Sequence, residues 1–212
     1  ILHKPNFLSK EECDLLINYY ENNKKQKVRE HCPHAVTGIE TESTFDVIDI
    51  PYGTEENKLV SSSIEKMINM WQDYTDKFKM FHVRKRGSML YSHKLRLMKY
   101  ETGAKIHPHS DHDPYIYGSC TFNLNEEYEG GEFVFFRGNK KIQLKRGDAL
   151  IFPADHFWVH EVRPIKKGVR YSTNCFLQNM PTSLIEHLRR LENVLRNSYK
   201  FNSKDGIRYN IK

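Results

Sequence analysis

No run of apolar residues in this chain approaches the roughly 18–20 that a helix needs to cross a bilayer, so no membrane-spanning helix is expected. The start, Ile1-Leu2-His3-Lys4-Pro5, has the make-up of neither a signal peptide nor a transit peptide. It also lacks an initiator methionine, which leaves upstream residues and a targeting segment open. Cysteine is scarce: Cys13, Cys32, Cys120 and Cys175 show no Cys-x-x-Cys pair and no zinc-type spacing to histidine. They are read as reduced thiols of an intracellular protein. Internal repeats and low-complexity linkers are missing too. A strong charge of one sign is also missing, since 33 Lys+Arg stand against 27 Asp+Glu for a net +6. Apart from Arg84-Lys85-Arg86 and Lys140-Lys141, the basic residues are spread out. Diffuse charge of this kind solvates a surface, so nucleic acid is not the expected partner.

What is present suits one domain with a real core: 212 residues, 38% hydrophobic and 28% charged. Ser9 followed by Glu12 forms a capping-box signal. Cys13, Leu15, Leu16, Tyr19 and Tyr20 then repeat at helical spacing, with a stop at 22–24. Residues 25–45 are polar and turn-rich and read as a loop. A segment of that length in a compact domain is usually functional, and a cover over the pocket mouth is expected. Phe45 to Ile50 alternates as a strand does, and a second helix is expected from about Glu55 to Phe78. From Leu90 the texture becomes seven or eight short strands with turn signals, among them Gly130-Gly131, Gly138-Asn139 and a turn at Pro164–Gly168. That pattern predicts a barrel or jelly roll rather than a parallel sheet. Phe122, Phe133, Phe135, Phe136 and Phe152 are assigned to the core, and Trp158 to core or pocket wall. A C-terminal helix is expected at about 182–198, with a loose polar tail from Tyr199.

The chemistry concentrates in His109-Ser-Asp111, His160, and Arg170 with Ser172 two residues on. Two imidazoles and one carboxylate can occupy one face of a ferrous ion, leaving the opposite face for a bidentate co-substrate and dioxygen. His109 and Asp111, at i and i+2, project to the same side of an extended segment, and His160 must come from a distant strand. The guanidinium of Arg170 suits a two-pronged grip on a carboxylate, which lysine cannot copy. Ser172 and Asn174 share its strand face. Together these residues point to an iron- and 2-oxoglutarate-dependent oxygenase. His107-Pro-His109, Asp113 and His112 offer alternative ligand spacings, and Lys166 or Lys167 an alternative cation.

Several motifs in order resemble the 2-oxoglutarate oxygenase superfamily, nearest the prolyl 4-hydroxylase catalytic-domain group, over about residues 6–178. Leu8–Ile17 is similar to that group's opening helix. Tyr100-Glu-Thr-Gly103 before His109-Ser-Asp111 resembles the strand entering its iron motif. Tyr128-Glu-Gly-Gly-Glu132, Lys145–Phe152, Val159-His-Glu-Val162 and Gly168-Val-Arg-Tyr-Ser172 complete the series. The resemblance implies a mainly β fold with flanking helices around a double-stranded β-helix. One oxygenase domain would fill 1–212, with a helical N-terminal part to about 85 and the β core at about 90–178. It further implies Fe(II) at His109, Asp111 and His160, 2-oxoglutarate at Arg170, dioxygen as second co-substrate, and ascorbate as a possible helper. Two departures stand out. The family's usual tyrosine three residues before the first iron histidine is Ile106 here, and the co-substrate cation is arginine rather than lysine. Both loosen any tie to collagen-like proline. Tyr100, Tyr117 or Asn123 could replace the missing phenol.

The expected activity is hydroxylation of a peptidyl, amino-acid or other small substrate. Oxidative demethylation of nucleic acid is a second reading, but the second arginine of such enzymes is Phe176 here. A non-catalytic jelly-roll binding module is the third.

Overall fold

The computed structural model describes residues 1–33, 40–78, 89, 91–92, 94–112, 115–179 and 207–208, with the backbone alone at 31–33, 40–43 and 207–208. The strands are β1 (Leu2–Lys4), β2 (Val28–Pro33), β3 (Glu40–Asp49), β4 (Tyr91–Ser92), β5 (Arg96–Tyr100), β6 (Ile106–His109), β7 (Ile116–Asn123), β8 (Tyr128–Gly130), β9 (Phe133–Phe135), β10 (Lys140–Ile142), β11 (Ala149–Pro153), β12 (His160–Val162), β13 (Ile165–Gly168), β14 (Arg170–Gln178) and β15 (Ile207–Arg208). The helices are α1 (Lys10–Asn23) and α2 (Glu55–Asp76).

Among the described residues the strands form two facing sheets and a small ribbon. The larger sheet runs β1-β11-β7-β14-β5-β3-β2, with β4 paired to β14 and β15 paired to β4. The smaller runs β10-β9-β12-β6, and β8 pairs with β13. The pairings are antiparallel, which gives the jelly roll that the short, turn-punctuated strands implied.

The larger sheet is buried on both faces. Its outer face carries Ile48, Leu97, Cys120, Phe122, Ile151 and Cys175 against the two helices. The helices present Cys13, Leu16 and Tyr20 from α1, and Val60, Ile64, Met67 and Ile68 from α2. Both helices start where their caps dictate. The Ser9 hydroxyl accepts from Glu12 N while the Glu12 carboxylate accepts from Ser9 N, and Thr54 accepts from Asn57 N. The inner face contributes Leu150 and Phe152 to a second cluster with Phe133, Phe135, Ile142 and Val162 of the smaller sheet. This cluster closes one side of the barrel.

Four elements differ from expectation. Residues 25–45 are not an irregular loop: β2 and most of β3 form a hairpin there, and β3 pairs with β5 at the sheet edge. Polar side chains hid this, because an edge strand needs no apolar face and natural edges favour charge. The hairpin's β2 lies against β6, the strand bearing His109, and Thr44 Oγ1 donates to Lys105 O while accepting from Lys105 N. The tip of the expected cover, about Pro33 to Gly38, lies outside the described residues but for Pro33 at the end of β2. The N-terminal part thus supplies strands as well as helices. Pro164–Gly168 holds β13 rather than a turn, paired to β8. Phe136 is exposed rather than core, because it and Arg137 sit in the left-handed region (φ 53° and 55°) at the tight turn joining β9 to β10. In the tail, Ile207–Arg208 pairs with β4 instead of running loose. The C-terminal helix expected at 182–198 lies outside the described residues.

Candidate active site

His160 on β12 pairs in register with His109 on β6, so the two imidazoles leave adjacent strands side by side, ring centroids 4.4 Å apart. Asp111, two residues past His109, brings its carboxylate under both. Oδ1 lies 3.2 Å from His109 Nε2, and Oδ2 lies 3.6 Å from His160 Nε2. Donor atoms arranged around one ion at roughly 2 Å stand on the order of 3 Å apart, as these do. Among the described residues these three are the one group of His, Cys, Asp and Glu side chains close enough to share an ion. His107 and His112 do not join it, and Asp113 lies outside the described residues.

Each donor is held from behind. His109 Nδ1 sits 2.7 Å from the His107 carbonyl and His160 Nδ1 sits 3.0 Å from that of Trp158. Both Nδ1 atoms must therefore carry the proton, which turns Nε2 of both rings toward Asp111. The Ser119 hydroxyl donates to Asp111 Oδ2. Phe135 stacks on the His160 ring at 5.5 Å and Phe152 meets it edge-on at 4.7 Å.

The electrostatics fit a cation. Burial pushes the Asp111 carboxyl up, but the hydrogen bond from His109 and the charges of His160 and His109 outweigh it and hold the carboxyl at about 2. Burial works against a charged His109, yet the hydrogen bond and charge of Asp111 raise its pKa above the ordinary value. Burial lowers that of His160 against the opposing pull of the Asp111 charge. Two imidazoles and a carboxylate on one side of an open cavity suit ferrous iron.

Arg170 starts β14, 1% exposed, on the inner face. Tyr100 and Phe133 flank its guanidinium at 5.1 and 5.2 Å, and its Nε donates to Asn123 Oδ1 at 2.8 Å. Its Nη1 is buried with no partner, as are Ser172 Oγ and Asn174 Oδ1 on the same strand face. A buried guanidinium with an idle prong is costly unless a ligand completes it. A carboxylate placed between Arg170 and Ser172 would do so, which fits the far end of a 2-oxo acid. Lys166 and Lys167 are exposed on β13, and Lys167 Nζ stands 3.9 Å from Glu129.

Of the candidates to replace the family tyrosine, Tyr100 and Ile106 itself line the cavity with the triad and Arg170. Asn123 stands behind Arg170. Its Oδ1 serves Arg170 Nε and the Tyr128 hydroxyl, and its Nδ2 faces the carbonyls of Asn125, Leu144 and Lys145. It aims the guanidinium and has no group left for a co-substrate. Tyr117 is 47% exposed and outside the lining. Sequence reasoning missed Ser119 and Tyr128. Ser119 had a signal: Ser119, Thr121 and Asn123 form a polar i, i+2 row on a strand whose other face is Cys120, Phe122 and Leu124.

Residues 95–178 match the family model described as the 2OG-Fe(II) oxygenase superfamily. The chain is similar to a PKHD-type hydroxylase of Janthinobacterium sp. (strain Marseille), 41% identical over 66 residues, which is 29% of this chain and 28% of that protein. It is 38% identical over 66 residues, with the same shares, to a PKHD-type hydroxylase of Aliarcobacter butzleri (strain RM4018). The match thus spans little more than a quarter of the length of these curated relatives. Among solved structures, the fold is similar to a prolyl hydroxylase of Trichoplax adhaerens in complex with a hypoxia inducible factor peptide fragment. The TM-score is 0.60 at 17% identity, covering 90% of this chain and 86% of that one. The viral collagen prolyl hydroxylase of Paramecium Bursaria Chlorella virus-1, a 2OG complex, gives 0.58 at 20% identity, covering 84% and 96%. These likenesses establish the fold, a jelly roll shared with prolyl hydroxylases. Residues 95–178, which hold the His109-Asp111-His160 group and Arg170, are thus similar to the 2OG-Fe(II) oxygenase superfamily, and that family implies Fe(II) and 2-oxoglutarate as its metal and co-substrate.

Proposed function

We propose that this chain is a dioxygenase that hydroxylates a peptidyl, amino-acid or other small substrate. The observation that carries the reading is the convergence on one cavity of three metal-type donors and a buried arginine prong with no partner. Ferrous iron bound at such a site couples the decarboxylation of 2-oxoglutarate by dioxygen, to succinate and carbon dioxide, to placing one oxygen atom into a substrate C–H bond. His109 and His160 would supply neutral Nε2 donors. Asp111 supplies the negative charge, held in place by Ser119. Arg170 and Ser172 take the distal carboxylate of the co-substrate. Tyr100 and Phe133 wall that end and keep water from it. Ascorbate belongs to the same proposal as a reductant that keeps the metal ferrous. Relatives named as hydroxylases and a fold neighbour carrying a peptide support a peptidyl substrate, whereas Ile106 and Arg170 argue against a collagen-like one.

The test is turnover under isotopically labelled dioxygen, with proline-containing peptides and free amino acids as substrates. The expected result is one labelled atom in succinate and one in a hydroxylated product. Labelled succinate with no hydroxylated product from any substrate would remove the substrate assignment. No succinate at all would remove the enzyme reading.

A further inference from the structure

Arg96 is a second buried cation of the barrel, and the metal and co-substrate chemistry leaves it unused. It precedes Met98 and Tyr100 by two and four residues on β5, so it shares the face that lines the cavity. It stands one step beyond the lining, paired in register with Asn174 of β14, which does line it. The residue is 9% exposed, and its guanidinium lies over the Phe176 ring at 4.8 Å. Its hydrogen-bonding partner among the described residues is one carboxylate, that of Glu30 on β2, reached through Nη1. Most of a five-donor fork is left over. Beside it, Asn174 Oδ1 is buried with no partner. Donors for a carboxylate and an acceptor for an N–H thus lie next to each other, between the hairpin and the triad. Arg170 is four residues from Asn174 along β14, roughly 13 Å by strand rise, so the two cations serve separate ligands.

We propose that Arg96 anchors a carboxylate of the primary substrate while Asn174 takes a neighbouring N–H, so that the substrate is an acidic amino-acid or peptidyl unit. The inference rests on the oxygenase reading above. Glu30 is the resident occupant: the hairpin lays a carboxylate on Arg96, and the substrate's carboxylate exchanges for it. Like replaces like, so the buried cation is never left unpaired. A purely structural pin between hairpin and sheet would give no preference for acids.

The test uses the full chain loaded with Mn(II) and 2-oxoglutarate, titrated calorimetrically with matched pairs. One pair is capped Ala-Pro-Glu-Ala against Ala-Pro-Gln-Ala, and the other is free L-proline against L-prolinamide. In at least one pair the acid should bind about tenfold or more tighter than the amide, the scale of a hydrogen bond to a charged group. The pair that shows it tells whether the carboxylate comes from a peptide or a free amino acid. Arg96→Met should bring the ratio near one, and Arg96→Lys should keep part of it, since the fork is lost but the charge stays. Glu30→Gln should tighten acid binding several-fold by removing the competitor. If Arg96→Met does not fold, Arg96→Lys and Glu30→Gln still decide. A ratio near one in the unaltered protein, including no binding in either pair, overturns the proposal. So does a ratio that survives Arg96→Met, or weaker acid binding in Glu30→Gln. Succinate formation by the iron-loaded, unaltered protein without substrate separates the two levels. Its absence fails the oxygenase reading, while its presence with a flat ratio fails only carboxylate recognition.

Discussion

Asn123 does not line the cavity, yet it fixes where Arg170 points. Asn123→Ala should therefore weaken 2-oxoglutarate binding about tenfold, the scale of one hydrogen bond to a charged group, with a smaller loss in Tyr128→Phe. Calorimetry on the Mn(II)-loaded protein reads both, and equal affinity in Asn123→Ala would show that the aromatic flanks alone hold the guanidinium. Ser119 relates to Asp111 in the same way, and Ser119→Ala should cost about 10–100-fold in metal affinity. The raised pKa of His109 adds a pH dependence. Metal and proton compete for His109 Nε2, so binding should release protons and weaken as pH falls through the raised value. Titrations in buffers of different ionisation enthalpy measure the release, and pH-independent binding would contradict it. The donors themselves were legible in the sequence, because i, i+2 spacing on an extended segment puts two side chains on one face whatever the fold. The role of Asn123 was not: it was named only as a candidate co-substrate contact, and the Arg170 that it aims is 47 positions away.

The β8–β13 ribbon shows how an element carries the site. Gly130 sits at φ +84°, and a Cβ there would meet the Pro164 carbonyl oxygen at 2.2 Å. Gly131 follows at φ +72°, with the Arg170 side chain 3.5 Å from its would-be Cβ. Gly130→Ala should destabilise the fold by about 2 kcal/mol or more, from the left-handed conformation plus the clash. Thermal unfolding checks this, and an unchanged midpoint would mean that the ribbon shifts freely. The helices were legible in advance because capping and apolar periodicity are local. The second half of β3, which pairs with β5, was legible from the alternation at Phe45–Ile50, but β2 and the start of β3 were not, because they pair with each other at a polar edge. β13 was masked by Pro164 and Gly168, which read as turn chemistry although the segment between them pairs with β8.

At the scale of the molecule, α1 is tied to the large sheet by Glu21, which accepts from the Tyr171 hydroxyl at 2.6 Å and from Lys99 at 3.0 Å. Burial pushes the Glu21 carboxyl up, but the hydrogen bonds from Tyr171 and Lys99 and the charge of Lys99 prevail and hold it at about 2. A carboxyl lowered in the folded state contributes stability that is present above its ordinary value and is lost as pH falls toward the folded value. Glu21→Gln should therefore lower the melting temperature at pH 7 and make little difference near pH 2. A deficit of the same size at both pH values would contradict the network. The jelly-roll class was legible from the count and spacing of short strands, whereas the sheet order was not, because it depends on pairings between distant segments such as β1 with β11. The account as a whole stands on the triad and Arg170 working as one site. The measurement that tests this most directly is succinate formed from 2-oxoglutarate under air by the Fe(II)-loaded protein, beside Asp111→Ala and Arg170→Ala. The account predicts iron-dependent turnover, its loss in Asp111→Ala, and in Arg170→Ala a 2-oxoglutarate requirement raised at least about tenfold, as expected for truncating a buried charge-assisted pair. Turnover that is indifferent to iron, or undiminished in Asp111→Ala, would contradict it.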